Sequence, residues 1–79
     1  MKTPIMAPTL RQYEFHLREN HLNPKEYFYL GTNSGDAYNR MRGIRGGEFI
    51  FIDGPYPRHF EVGDLLALAQ YSEMNIIKI

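Results

Sequence analysis

Apolar and polar positions along the chain fall into short blocks that switch between two periods. The densest apolar block is Phe49-Ile-Phe-Ile52, inside the stretch Glu48-Phe-Ile-Phe-Ile-Asp-Gly54 and bracketed by Gly46, Gly47 and Gly54. Four consecutive β-branched or aromatic residues are too few for a helix and point alternately to opposite sides. The block therefore predicts a strand covered on both faces, as at the centre of a sheet packed by helices on each side. Glu26-Tyr-Phe-Tyr-Leu30 predicts a second strand by its aromatic content, and Met74-Asn-Ile-Ile-Lys-Ile79 a third, with Lys78 marking a sheet edge.

Between these blocks the period is helical. Thr9 followed by Gln12 matches a capping box, so a first helix starts there and runs to about His21, before Asn23-Pro24. Leu10, Tyr13 and Leu17 form one stripe, while Phe15 and Leu22 lie nearly opposite. Leu22 reads as having left the helix to pack beneath it. Phe15 is then a lone exposed aromatic or the mark of a partner or dimer surface. A short helix begins around Asp36, capped by Ser34 or Asp36, and ends at Gly43. A third runs from about Glu61 to Ser72, with Val62, Leu65, Leu66 and Ala69 on one stripe and Leu68 widening it.

The order α, β, α, β, α, β predicts a small α/β domain with a three-stranded, mainly parallel sheet and about three helices. Phe49 to Ile52 is the expected middle strand and Tyr27 to Leu30 its rival. Pro4 and Pro8 disfavour helix, so residues 1 to 8 read as an extended N-terminal segment and residues 9 to 79 as one compact domain.

Composition changes this picture in three ways. Seventy-nine residues without cysteine leave packing alone to stabilise the fold, and five Phe and six Tyr supply much of it. Nine basic and nine acidic side chains cancel, so there is no global field toward nucleic acid or an anionic membrane, and any electrostatic site is local. No run is long enough to span a bilayer, and the first residues lack the apolar core of a signal peptide, so a cytoplasmic protein is expected.

Candidate chemistry is sparse. If the first two predicted strands are neighbours, the Gly31 to Asp36 loop lies beside Asp53 to His59 at the carboxyl ends of the strands, where open parallel sheets bind ligands. Gly31, Asn33, Ser34 and Asp53 are the crevice candidates. The outline is that of a dinucleotide-binding unit, but Asn33 and Asp36 stand where its glycine fingerprint needs glycine, and the Lys-Ser/Thr pair of a Walker A loop is missing. Arg40, Arg42 and Arg45 cluster before the middle strand, at the end opposite Arg58. They suit the dipole of a helix C-terminus, an acidic protein surface or a nucleic acid. His16 and His21 are about 140° apart on a helix, so no metal spacing exists. His59 with Asp53 lacks a nucleophile or second acid to complete a mechanism, so neither catalysis nor a cofactor is expected. Tyr56, held between Pro55 and Pro57, is either folded back over the sheet or presented with Arg58 and His59 as a contact loop.

The pattern Leu22-Asn-Pro-Lys-Glu-Tyr-Phe-Tyr-Leu30, then Met41-Arg-Gly-Ile-Arg-Gly-Gly47 leading into Phe49 to Asp53, resembles the short α/β proteins of unassigned function that tailed bacteriophages encode. The resemblance implies a small intracellular protein made during infection, often one that binds and modulates a host component, and it carries no functional residues. The expected function is thus a non-enzymatic binding module acting on a host or self protein, with homodimerisation compatible. The alternatives are a mini-Rossmann-like nucleotide or phosphate binder, or a nucleic-acid-binding protein using Arg40, Arg42 and Arg45.

Overall fold

The computed structural model of the protein describes residues 2–31, 37–58 and 62–79, with backbone only at 37 and 38. Four strands and three helices alternate along it: β1 (Thr3–Met6), α1 (Leu10–Glu19), β2 (Tyr27–Leu30), α2 (Ala37–Met41), β3 (Glu48–Phe51), α3 (Val62–Tyr71) and β4 (Asn75–Lys78). All four strands are parallel, in the order β2-β1-β3-β4.

The sheet therefore has one strand more than the sequence pattern predicts. Thr3–Met6, read as lying before the compact domain, is a central strand in which Ile5 and Met6 are fully buried. Proline is rare inside sheets because it cannot donate to a ladder. Pro4 is tolerated here because the pairing of β1 with β3 begins only at Ile5, opposite Ile50, while β2 pairs along all of Thr3 to Met6. In consequence Tyr27 to Leu30 is an edge strand, not a rival for the centre, and the Phe49 strand is interior as expected.

Alternation sorts the apolar residues onto two faces. Met6, Leu30, Phe49 and Phe51 point to one side, where α2 supplies Met41 and α3 supplies Leu65 and Ala69. Ile5, Ala7 and Ile50 point to the other, where α1 supplies Tyr13 and Leu17. Thr9 starts α1 as its sequence implies: its Oγ1 accepts the Gln12 N–H at 3.2 Å. The Gln12 side chain meets the Thr9 hydroxyl, at 3.2 Å, rather than the Thr9 backbone amide of a full capping box. Leu22 lies past the helix, half-buried against the α1 face, and Phe15 is 57% exposed. Among the described residues no helix is long and apolar enough to cross a membrane.

The central position of β1 yields a direct test. Replacing Ile5 by alanine removes a fully buried side chain from between β2 and β3 and should cost about 2–5 kcal/mol of unfolding free energy in urea. A loss below about 1 kcal/mol, the range of exposed positions, would mean that Thr3–Met6 is not part of the core.

Candidate functional site

In an open parallel sheet the ligand crevice forms beyond the carboxyl ends of the strands, where successive connections leave in opposite directions. Here that point lies between β1 and β3, since the chain leaves β1 for β2 on one side and reaches β3 on the other. Among the described residues, Tyr56 lies across this point. The Tyr56 ring stacks on Phe51 with centroids 5.7 Å apart and planes 20° apart. Its hydroxyl sits 2.6 Å from the Ile52 carbonyl and 3.0 Å from the Met6 carbonyl, sharing one proton across the two strand ends. Gly54 brings its backbone against Pro8, ahead of α1: at φ +156°, an added Cβ would lie 2.8 Å from Cγ of Pro8. A side chain there would force the loop away from Pro8.

The strand ends that carry the loops expected to converge are not neighbours. β1 separates β2 from β3, which puts the Gly31 side of the sheet about 10 Å, two strand spacings, from the Asp53 side. The premise that the first two predicted strands are neighbours fails because it omits β1. Gly31 lies close under the Tyr29 ring, which an added Cβ would meet at 2.5 Å. Asp53 continues the sheet, its N–H donating to Ile79 O at 3.0 Å and its Oδ1 accepting from the Gly54 N–H at 3.0 Å. Arg58 is exposed at this end. Asn33, Ser34, Asp36 and His59 lie outside the described residues. Among the described residues no group of three His, Asp or Glu side chains is placed to hold a metal ion.

The three clustered arginines take different positions. Arg40 reaches back to donate to the Tyr29 carbonyl at 2.8 Å, covering an acceptor of edge strand β2. Arg42 is exposed and makes no ion pair with any described residue, whereas Arg45 pairs with Glu73 at 3.2 Å. Both members of that pair are more than 70% exposed, so it adds little stability. Gly43, at φ +79°, ends α2 in the left-handed conformation, and the Gly46 N–H donates to Ser72 O at 2.8 Å. These two features hold the Arg42 to Arg45 turn against the end of α3.

A cleft of about 510 Å³ lies between that turn and α3. Met41, Ile44 and Leu68 lend it apolar surface, while Arg42, Arg45 and Tyr71 line it with charge and aromatic area. Tyr71 is 80% exposed, the most exposed large apolar side chain among the described residues. Sequence reasoning passed over it, although its place nine positions after Val62, about 180° from the buried stripe, was a signal that it faces away from the sheet.

Comparison with family models, with curated proteins and with solved structures finds no match for this chain.

Burial raises the Tyr56 pKa well above the ordinary 10.0, with smaller contributions from the charges of Tyr29 and Asp53. Below pH 10.0 the residue is protonated in both folded and unfolded chains and gives no pH dependence. Above it the unfolded chain releases the proton while the folded chain holds it, so stability falls as pH rises toward the folded pKa. Tyr13, also raised by burial and by Glu14, acts in the same direction. Tyr56→Phe should flatten part of this alkaline loss and cost about 1–3 kcal/mol at neutral pH, measured by denaturant unfolding at both pH values. Neutral-pH stability equal to the parent would show that the hydroxyl does not hold the strand ends.

Proposed function

We propose that this chain is a non-enzymatic binding module acting through protein contacts at the amino end of its sheet, on an acidic segment that carries an apolar side chain. The observation behind this is the cleft beside α3, where Arg42, Arg45 and Tyr71 line a depression that also has apolar surface, with Arg42 making no ion pair with any described residue and Arg45 held only by its exposed pair with Glu73. Arginine and tyrosine are the residue types that concentrate binding energy, and a half-open apolar depression accepts an anchoring side chain. The arginines also suit the C-terminal dipoles of α2 and α3, which keep their charge at this end. Tyr56, bonded to the Met6 and Ile52 carbonyls at the switch point, speaks against the nucleotide-binding alternative. With Arg40 engaged on β2, two cations on a chain of zero net charge make a poor nucleic-acid surface. The resemblance to short phage-encoded proteins adds a component of the host cytoplasm as the partner class.

The test is retention of a bacterial-lysate partner by the tagged protein at moderate salt, read by native mass spectrometry. A stoichiometric protein should be retained, and Arg42→Glu with Tyr71→Ala should weaken it at least tenfold, as expected for paired hot-spot residues. Both positions are exposed, so the double variant should melt as the parent does. An undiminished complex would place the contact elsewhere. Thermal stabilisation by a nucleotide, lost in Asp53→Asn, would restore the carboxyl-end crevice as the site.

A further inference from the structure

The two edges of the sheet are treated differently. On β2 the Arg40 guanidinium covers an edge carbonyl. On β4 no side chain does the same among the described residues. The ladder fixes which groups are free there: the Asn75 N–H donates to Gly47 O at 2.7 Å and the Ile79 N–H to Phe51 O at 2.9 Å. Odd-numbered residues of β4 therefore bond to β3, and the N–H and C=O of Ile76 and Lys78 face outward. The side-chain surface beside that edge is apolar. Ile77 and Ile52 are half-buried on the α1 face and Ile79 is 56% exposed, because α1 covers β1 more than β4.

We infer that β4 pairs antiparallel with β4 of a second copy of this chain, about a two-fold axis through Ile77. Ile76 then lies opposite Lys78 of the second copy, and each such pair exchanges both N–H···O=C bonds. Ile77 meets its own copy on the axis as a non-hydrogen-bonded pair. The neighbouring two-fold registers are worse. Centring on Lys78 sets two like charges directly opposite each other, which destabilises a strand pair. Centring on Ile76 requires a bond from Met74, whose N–H already donates to Ala69 O at 3.0 Å. Charge and backbone bonding thus select one register. A contact of one short strand per copy falls below the about 1,200 Å² of a standard interface, so association belongs in roughly the micromolar to millimolar range.

Mass measured by sedimentation equilibrium across that range should rise from monomer to dimer. In Lys78→Pro it should remain monomeric with unchanged melting, because the lost N–H faces away from β3 and proline is tolerated on an edge. The chain has no cysteine, so Ile77→Cys introduces a unique thiol. On the axis its Cα should lie about 4.5 Å from its copy, within the about 4.4–6.8 Å that a disulfide spans. Oxidation should therefore cross-link Ile77→Cys and leave Phe15→Cys unlinked. A monomer throughout the range would overturn the inference. So would a dimer that persists in Lys78→Pro, which needs no folded cysteine variant, or equal cross-linking from Phe15→Cys. Monomeric wild type that instead takes up an added β4 peptide of different sequence would assign the edge to another protein.

Discussion

The structure depends on covering two adjacent strands, β1 and β3, on both of their faces at once. Ile5 and Met6 of β1, and Phe49, Ile50 and Phe51 of β3, are all buried although they alternate in direction. A chain of 79 residues has to meet that demand with three helices. Among the described residues, α2 and α3 share one face and α1 covers the other. The division seals the middle of the sheet and leaves the β4 side of the α1 face partly open.

The ends of the sheet follow from the same demand. At the carboxyl end the two central strands stop side by side; the Met6 carbonyl accepts from the Ile52 N–H at 2.9 Å, and the Ile52 carbonyl needs a donor of its own. Tyr56 supplies it from a loop stiffened by Pro55 and Pro57, and its ring extends the Phe51 side of the core. At the amino end the turn from Arg42 to Gly47 must drop from α2 back into β3, and glycines at positive φ let it do so. That turn leaves the cleft against α3 in which charge and aromatic surface accumulate. Among the described residues, the cleft beside α3 and the β4 edge are two surfaces left open by this arrangement.

Much of this could be read from residue order and some could not, for physical reasons. The Phe49 to Ile52 strand was legible because four consecutive apolar residues admit no half-exposed element. Thr9 announced α1, and Lys78 marked a sheet edge. Thr3 to Met6 was not legible: Pro4 interrupts it, and only the pairing with β3 from Ile5 onward makes that proline harmless. The expected meeting of the Gly31 and Asp53 loops depended on this omission. For Tyr56 both a folded-back and a presented side chain were compatible with the prolines around it, and only the spacing of the Met6 and Ile52 carbonyls distinguishes them. Tyr71 with Arg42 and Arg45 is a tertiary juxtaposition of helix end and turn, which no local pattern encodes. The arginines were singled out by their clustering, but the aromatic beside them was not.

Hydrogen exchange resolved to single amides tests the central position of β1 and β3 most directly. The account predicts that the amides of Ile5, Met6, Ile50 and Ile52 exchange only through global unfolding, while the outward amides of Ile76 and Lys78 exchange much faster in dilute protein. Exchange of Ile5 and Met6 at the rate of a free terminus, with β3 still protected, would contradict it.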